Sequence, residues 1–596
     1  MAESFLNYFE LELSLVQRAY RRFLRKYRRD TGNGLAQQSQ KEYRDPHTER
    51  LLDGVAFLTA KTEQALAEQF PEITRSLLQL NYPGLQDILP SSTVLGLMPD
   101  RESLTTIRTI QKGVRLSPKT DDDSLITFTT AADTTLYPFH ISGIQAQTAP
   151  FEFVAGELTS VANAVLRVRI EMNDSGKTFS QLALEEIDLF LESDAITAGR
   201  LTETLFSKLV NIQVSDGSGA SLGLFDPAQL QSRAFDEDFC FLPTHRNSYL
   251  GIQLIREFFS YPAKQAFVRL SGVGRALKEC SSPDLTIDFF LRDMSTRDVR
   301  AVSDSTFQLN CIPVINLFST RSEPIQYDHA TVRVPVYAEA TSAGSKKISR
   351  IKKVYEVTPD GEVEVPRLYN FSHEIGVPTT SWEPLRRVNE DGIQEHQLAL
   401  AWPDPDLKSF PRLYSAEITC TNGNLSLIYD ELKGWTSIDS VEIPGVLFML
   451  TSLTTELTPD KDEDSDWRLL GLLNFNLHNI IDSDSPELPL KQFLTLAAPV
   501  GLTASAVASI LKISVNQSVQ PMVVAERRVI AQGTRFSVHL DPAQNRNQWS
   551  LLGRLVHKSF LEMCSFDRFV QTEIWIEGID ERVAVFGPDH GSQLCT

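Results

Sequence analysis

The chain has 596 residues and a net charge of −20, with 42% hydrophobic and 22% charged residues. Its length is typical of about four domains, and its composition is that of a folded soluble protein rather than a disordered one. So acidic a balance disfavours a general role in nucleic-acid binding.

The opening residues carry no signal for secretion or membrane insertion. Acidic residues interrupt the apolar residues of MAESFLNYFELEL, and the basic residues follow this stretch instead of preceding it, the wrong order for a secretory signal. The longest weakly charged runs, such as Ile443 to Thr455, are too short and too polar to span a bilayer. We therefore expect a cytoplasmic protein without direct membrane insertion.

The cysteines are scattered and form no CxxC pair. They are Cys240, Cys280, Cys311, Cys420, Cys564 and Cys595. This spacing favours reduced thiols over a disulfide framework or a zinc site.

The first predicted helix, from Phe5 to about Asp30, has an apolar face. Its apolar residues recur in steps of four and three: Phe9, Leu13, Val16, Tyr20, Phe23 and Tyr27. Such a seam packs lengthwise against another helix. Two alternatives stay open: a helical subdomain with its own core, or a seam that another chain completes because the neighbouring short helices cannot cover it.

A second face of the same helix is basic, with Arg18, Arg22, Arg25 and Arg29 at similar spacing. It could be a solvated face, a contact for an acidic protein partner, or a phosphate-binding face. The last is disfavoured because no stacking aromatic residues are interleaved with the arginines.

A second helix is predicted to start at Asp45 and Pro46, since Asp45 can cap it and proline suits the first helical position. Pro71 is predicted to close this helix and to open a third, which runs to Tyr82-Pro83. The second helix is expected to bury one stripe of side chains: Leu51, Val55, Leu58, Thr62 and Leu66.

From about Thr93 the pattern changes to strands and turns. Alternation of Leu166, Val168 and Ile170 with charged residues predicts a half-buried strand. Further predicted strands are 93–98, 126–130, 265–270, 285–290, 332–337, 529–540 and 569–576, and further predicted helices are 201–209, 249–259 and 549–563.

Two stretches resemble motifs for catalysis or metal binding but lack parts that those motifs need. Gly219 to Gly223 matches a nucleophile elbow around Ser221, but Pro227 breaks the helix that should follow, so a hairpin is favoured. Asp460, Asp462 and Asp464 lack the glycine and glutamate of a calcium loop, which favours a solvated acidic loop. No catalytic residue, cofactor or metal is predicted.

Several blocks, in order along the chain, resemble the TssF family of bacterial type VI secretion baseplate proteins. They are Tyr8 to Leu13, Asp45 to Leu58 (similar to "DP-x-x-ERLL-x-G-x-AFL"), Tyr249 to Pro262, Leu309 to Phe318 (similar to "LNC-x-P-x-INLF") and Cys420 to Asn422. Any one block would be weak, but together their specificity is high.

The resemblance implies a structural, non-enzymatic subunit. Two TssF copies would join TssG in a wedge around the spike hub, with the TssK adaptor, the sheath-initiating TssE and the VgrG spike as further partners. The baseplate would dock beneath the inner-membrane complex, and a change in wedge packing would trigger sheath contraction. The alternatives are a wedge protein of a related contractile phage tail or extracellular injection particle, and a hydrolase that uses Ser221.

The predicted fold is α+β: an N-terminal helical segment followed by a mostly β-rich, multi-domain scaffold. The predicted domains are 1–92 (helical docking segment), 93–335 (β-rich middle), 336–466 (β-rich insertion or wing-like domain) and 467–596 (C-terminal α+β domain). The candidate partner contacts are Phe9, Leu13, Val16, Arg18, Tyr20, Arg22, Arg25, Asp45, Pro46, Arg50 and Asn316.

Overall fold

The structure is a computed structural model that describes most of the chain. The described residues are 9–10, 12–20, 46–100, 103–119, 125–151, 161–192, 195–244, 249–327, 333–339, 346–368, 380–388, 394–401, 412–425, 432–439, 441–458, 468–499, 501–524, 527–543, 548–579 and 582–591. The mixture of helices with several sheets agrees with the predicted α+β class.

The helices differ widely in length. In chain order they are α1 (9–10 and 12–20, as far as it is described), α2 (Pro46–Asn81), α3 (Ala195–Lys208), α4 (Leu250–Ser260), α5 (Gly274–Glu279), α6 (Thr296–Ala301), α7 (Leu477–Ile481), α8 (Glu487–Ala497), α9 (Ala504–Ser509) and α10 (Trp549–Met563).

The strands of the first half are β1 (Ser92–Pro99), β2 (Arg108–Ile110), β3 (Arg115–Lys119), β4 (Phe128–Thr130), β5 (Thr134–Leu136), β6 (Phe139–Thr148), β7 (Ala164–Met172), β8 (Glu186–Leu191), β9 (Leu209–Asp216), β10 (Ser221–Phe225), β11 (Leu230–Ser232), β12 (Phe267–Ser271), β13 (Asp284–Leu291), β14 (Phe307–Gln308) and β15 (Cys311–Ile315).

The strands of the second half are β16 (Phe318–Arg321), β17 (Ile325–Tyr327), β18 (Arg333–Pro335), β19 (Lys347–Thr358), β20 (Gly361–Val365), β21 (Ser381–Val388), β22 (Gln394–Ala401), β23 (Arg412–Thr421), β24 (Lys433–Ser437), β25 (Gly445–Met449), β26 (Ile510–Val524), β27 (Arg527–Leu540), β28 (Arg568–Ile576) and β29 (Arg582–His590).

The second helix corrects one sequence prediction. Pro71 was expected to close it and to open a third helix, yet α2 continues through Pro71 as a single helix of 36 residues. A proline inside a helix removes one backbone hydrogen bond, and its ring clashes with the carbonyl of the preceding turn. These effects favour a break in the helix but do not require one. The segment before β1 therefore projects one long helix.

Six strands close into a barrel in the order β1, β15, β4, β3, β24, β25. Its interior is a hydrophobic core in which the rings of Phe128 and Trp435 meet edge to face, with centroids 5.0 Å apart. β24 and β25 lie within the predicted 336–466 region, so the chain leaves the barrel after β15 and returns to it after β23.

Pro313 lies in β15 of this closed barrel, although proline is usually confined to the edge of a sheet. It pairs with Val94 of β1 on one side. On the other side its carbonyl accepts the N–H of Ala131 at 2.8 Å, and the ladder with β4 begins at Val314. Pro313 thus lies at the end of the ladder with β4, where its missing N–H interrupts no run of hydrogen bonds. A proline can therefore be accommodated in this closed sheet.

Two sheets form the middle of the molecule and enclose its largest core. One has the order β10, β9, β13, β7, β6 and the other β11, β12, β8, β14. In β7 the alternation is confirmed, because Leu166, Val168 and Ile170 are buried. Arg167, between them, forms an ion pair with Asp288 of β13 at 2.7 Å.

The segment from Phe318 to Thr421, here called the wing, leaves the barrel and has its own core. It contains the sheet β16, β23, β19, β20, to which β17 is attached, and the sheet β18, β22, β21. Trp382 and Tyr414 are buried between them.

The C-terminal sheet has the order β26, β27, β28, β29 and packs against α4, α8 and α10. β27 and β28 are parallel, and α10 is the crossover between them. Gly553 allows the close approach of α10 to the sheet, since a Cβ there would lie 2.5 Å from Ile574 Cγ1. Packing of an amphipathic helix over a parallel pair is the expected geometry of such a connection.

Candidate interaction surface

An apolar stripe on α2 faces solvent in this chain. Leu51, Val55 and Leu58 are 70%, 49% and 65% exposed. Their spacing of four and three places them on one face of the helix. The prediction that this stripe is buried is therefore wrong for these three residues, while the side chains of Thr62 and Leu66 lie outside the described residues. Periodicity shows that a face will be covered, but not by which chain.

Small residues mark a different face of α2. Ala56 and Ala60 are fully buried. These two alanines lie on a different side of the helix from the exposed stripe. Their small side chains allow the backbone of another segment to come close to α2. Small and large apolar residues thus divide the first half of α2 into a covered face and an exposed face.

The C-terminal end of α2 is anchored in the body of the protein. Leu78 is buried in the same core as α4 and α10. The Tyr82 hydroxyl donates to the Leu472 carbonyl at 2.7 Å, and the Ser76 hydroxyl donates to Glu383 Oε1 at 3.2 Å. The end of α2 is therefore held by both the C-terminal unit and the wing.

Just beyond α2, three arginine side chains lie around Asp87. These four residues, Asp87, Arg256, Arg350 and Arg386, are here called the Asp87 cluster. The Asp87 carboxylate accepts from Arg386 and lies 2.9 Å from Arg350 Nε. Arg256 of α4 donates to the backbone carbonyls of Gly84 and Asp87. Arg350 belongs to β19 and Arg386 to β21, so the cluster ties the segment after α2 to α4 and to the wing.

The charges in this cluster determine its protonation. Burial raises the pKa of Asp87, but the charges of Arg350 and Arg386 and the hydrogen bond from Arg386 outweigh it and hold the pKa below its ordinary value. Burial also lowers the pKa of Arg256. The carboxylate is thus ionised near neutral pH, and the cluster contains more positive than negative charge.

His396 gives this region a measurable pH dependence. Burial and the charge of Arg386 lower its pKa to about 3. Because its pKa in the unfolded chain is about 6.5, the unfolded chain binds the proton first as pH falls. We expect the free energy of unfolding to decrease below about pH 6.5, by up to ~1.4 kcal/mol per pH unit from this residue.

The measurement is urea unfolding of wild type and His396→Gln at several pH values between about 5 and about 8. The stability advantage of the wild type should shrink as pH falls, since the variant lacks the imidazole. A difference that does not change with pH would contradict the assignment.

The candidate contacts on α1 lie on a helix whose described part is only partly covered. Phe9, Leu13 and Val16 are half-buried, whereas Arg18 and Tyr20 are exposed. Arg22 and Arg25 lie outside the described residues. Whether another chain completes this seam stays a prediction.

The candidate contacts at the start of α2 are only partly described. Pro46 is the first residue of α2, as its preference for that position predicts. Asp45 and the side chain of Pro46 lie outside the described residues, and Arg50 is exposed.

Asn316 is fully buried, which corrects the prediction that it contacts a partner. Its amide nitrogen donates to the Thr127 carbonyl and to Asn422 Oδ1, each at 2.8 Å. Its Oδ1 accepts from Asn422 N at 2.7 Å. Both asparagines lie in blocks that carried the family resemblance, and they join the end of β15 to the end of the wing. Their role is to hold the fold.

The rejected catalytic motif forms a hairpin. Ser221 opens β10 and pairs with Ser215 of β9, and Gly219 has φ of +85° in the turn. Asp216 Oδ1 accepts from the Ser218 and Ala220 backbone N–H groups, each at 2.9 Å. No helix follows the serine, so the strand–turn–helix of a nucleophile elbow does not form there.

Among the described residues, no group of three or more histidine, cysteine or acidic side chains has a metal-binding arrangement. No helix in this part of the chain is long and apolar enough to cross a bilayer. Five cysteines carry free, buried thiols. Asp460, Asp462, Asp464 and Cys595 lie outside the described residues.

Sequence reasoning missed the Asp87 cluster. Asp87 stands in an ordinary turn sequence, and its arginine partners come from three distant parts of the chain. The one local signal was Arg256, which follows Leu254 and Ile255 in the predicted helix, where a buried charge needs a partner.

Known proteins resemble this chain along nearly its full length. A sequence profile of the family described as "Type VI secretion system, TssF" matches residues 1–593. The type VI secretion system component TssF1 of Pseudomonas aeruginosa is 29% identical over 327 residues, which are 54% of this chain and 52% of that protein. The chain thus spans about half the length of this curated relative.

Two solved structures have a similar fold. A chain of the type VI secretion system TssK-TssF-TssG baseplate subcomplex superposes with a TM-score of 0.74 at 19% identity, covering 92% of this chain and 99% of that chain. A chain of the baseplate complex from the type VI secretion system superposes with a TM-score of 0.55 at 18% identity, covering 96% of each.

Proposed function

Since the chain belongs to the TssF family of the type VI secretion system, we propose that it is a structural subunit of the secretion baseplate. The proposal is supported most by the exposed stripe Leu51, Val55 and Leu58 on α2. A soluble protein rarely leaves such a stripe uncovered, and exposed apolar patches mark surfaces for partners.

We propose that this stripe packs against helices of TssG. Helix-on-helix docking is suited to side chains at positions i, i+4 and i+7. Covering three such residues contributes about 4 kcal/mol after allowing for their partial burial in the free chain. That contribution alone changes a dissociation constant ~1,000-fold.

In the finer form of the proposal, two copies of the chain join TssG in a wedge around the spike hub. TssK, TssE and VgrG are the further partners, and the baseplate docks in the cytoplasm beneath the inner-membrane complex. A change in wedge packing then triggers sheath contraction. Such a role requires large interfaces with two stable arrangements.

The anchoring of α2 suits a part that transmits force. The first half of the helix carries the exposed stripe, and its end is fixed by Leu78, Tyr82 and the Asp87 cluster. A displacement of the first half of α2 would thereby be passed to the C-terminal unit and the wing through packed and charged contacts.

Co-purification tests the proposed function. The full chain, produced together with TssG and TssK from the same gene cluster, should elute with them as one complex in size-exclusion chromatography. Recovery of the chain alone, with the two other proteins folded and present, would contradict the proposal. If the neighbouring genes encode phage-tail proteins instead, the related contractile particle becomes the better assignment.

Ser221→Ala is the matched control for the hydrolase alternative. Because Ser221 lies exposed at the start of a hairpin strand, its loss should leave both complex formation and secretion unchanged. Lost secretion with normal assembly would favour an enzyme.

A further inference from the structure

A cavity of about 430 Å³ lies where the middle of the molecule meets the C-terminal sheet. Its walls come from α3, from the segment that leads into β11, from α10 and from β29. The residues that matter below are Leu205, Leu230, Gln231, Ser550, Arg554 and Val585. Aliphatic, aromatic and polar side chains all contribute to its walls.

Arg554 supplies the cation of this cavity. Its guanidinium carbon lies 5.5 Å from the ring centroid of Phe206 on α3 and 5.6 Å from that of Phe586 on β29. Two aromatic rings thus hold the guanidinium in place by cation–π attraction. Its orientation is fixed before any ligand arrives, which reduces the entropy lost on binding.

Arg554 has no acidic partner within the part of the chain that the structure describes. No carboxylate oxygen there lies within 4.0 Å of its guanidinium nitrogens. Three other largely covered arginines each have a carboxylate oxygen at 2.7 to 2.9 Å: Arg167 with Asp288, Arg200 with Asp298 and Arg233 with Asp188.

Three carboxylates in this region are engaged elsewhere. Asp236 lies 3.5 Å from Arg233, and Asp589 lies 3.0 Å from His557. Glu203 accepts from the backbone N–H and the hydroxyl of Ser550 at 2.9 and 2.8 Å, at the start of α10. None of these carboxylates forms an ion pair with Arg554. The guanidinium is therefore available to a carboxylate from outside the chain.

The chemistry of the cavity favours a single carboxylate on an apolar stem. A guanidinium binds a carboxylate through two parallel hydrogen bonds, whereas a phosphate would call for further cations. The aliphatic part of the walls, formed by Leu205, Leu230 and Val585, suits the methylene groups of a glutamate. The exposed side chain of Gln231 can form a hydrogen bond with the backbone of the incoming chain. An acidic side chain of another protein provides the carboxylate, the methylene groups and the neighbouring backbone.

We propose that this cavity receives an acidic side chain of a neighbouring subunit, with Arg554 as its ion-pair partner. The proposal rests on the proposed function, since only a subunit of an assembly has such a neighbour. It adds a second interface, remote from the α2 stripe in sequence and different in chemistry.

Charge reversal in the assembled complex is the test. Arg554→Glu should weaken entry of the full chain into the complex with TssG and TssK about 30-fold or more, because two acids would then face each other. Arg300→Glu is the control, an exposed arginine on α6 that undergoes the same charge change. Thermal unfolding of Arg554→Gln alone checks that the fold survives loss of the guanidinium.

A photo-crosslinking residue at Gln231 identifies the neighbour. The crosslinked peptide should belong to another subunit and contain an aspartate or glutamate, and changing that acid to lysine should restore entry of Arg554→Glu. Normal entry of Arg554→Glu, no rescue by the lysine, or a crosslink only within this chain would each overturn the proposal while the complex still forms.

Glutarate is the probe for a free carboxylate. If the isolated chain binds glutarate at millimolar concentration in an Arg554-dependent way while Arg554→Glu assembles normally, the cavity serves a small molecule and the proposal is overturned. Failure of the wild-type chain to form any complex would remove the proposed function and this inference with it.

Discussion

The triple variant Leu51→Asp, Val55→Asp and Leu58→Asp is expected to lose its complex with TssG while the chain itself folds normally. These side chains are largely exposed in the free chain, so polar replacement costs little stability there. In the complex each would place a charge in an apolar helix interface. We expect at least a ~1,000-fold weaker complex, from about 4 kcal/mol of lost burial alone.

The measurement is co-purification with TssG and TssK, together with thermal unfolding of the isolated variant. Asp53→Lys with Lys61→Asp is the matched control, since both residues are exposed on α2 outside the stripe and the net charge stays the same. The control should assemble normally. A triple variant that unfolds at the wild-type temperature and still assembles would show that the stripe is not an interface.

Asp87→Asn is expected to destabilise the folded chain by about 3 kcal/mol. The substitution keeps the shape of the side chain but removes the carboxylate that pairs with Arg350 and Arg386 in the cluster. The buried cations then lose the negative charge of Asp87. The effect should be strongest on the wing, which the cluster ties to the segment after α2.

The free energy of urea unfolding measures this effect, and Asp439→Asn is its control. Asp439 pairs with Arg115 at 2.7 Å, but those side chains are 29% and 48% exposed, so its loss should cost no more than about 1 kcal/mol. Adding Arg386→Met to Asp87→Asn should recover part of the loss, because one uncompensated charge is removed. Equal effects of the two asparagine variants would contradict the account of the cluster.

Helices with a strong apolar face were the most predictable part of the fold. The helix Trp549–Met563 was predicted with its observed limits, because its apolar residues fit one face and its ends are marked by polar residues. The strand around Val168 was equally clear. In both cases the covering partner is part of the same chain, so the pattern and the burial agree.

The errors have physical causes that a single sequence does not reveal. Pro71 signals a break, but a long helix can tolerate one missing hydrogen bond. Leu51 to Leu58 have the periodicity of a buried stripe, and periodicity is the same whether the cover is internal or a partner. Asn316 was chosen as a partner contact because it lies in a block that resembles the TssF family. Such a resemblance does not separate residues that stabilise the fold from residues that bind a partner.

Polar sites built from distant parts of the chain could not be predicted from the sequence. The partners of Asp87 come from α4, β19 and β21, and the walls of the Arg554 cavity come from four separate elements. Such groups carry no local spacing that distinguishes them from surface charges. They become visible only when the topology places them together.

Hydrogen–deuterium exchange of α2, in the free chain and with TssG and TssK, tests the central claim most directly. We predict that the amides around Leu51 to Leu58 exchange more slowly in the complex, while those near Leu78, already fixed in the core, change little. A complex that forms without added protection around Leu51 to Leu58 would contradict the claim that this stripe joins the subunit to the baseplate.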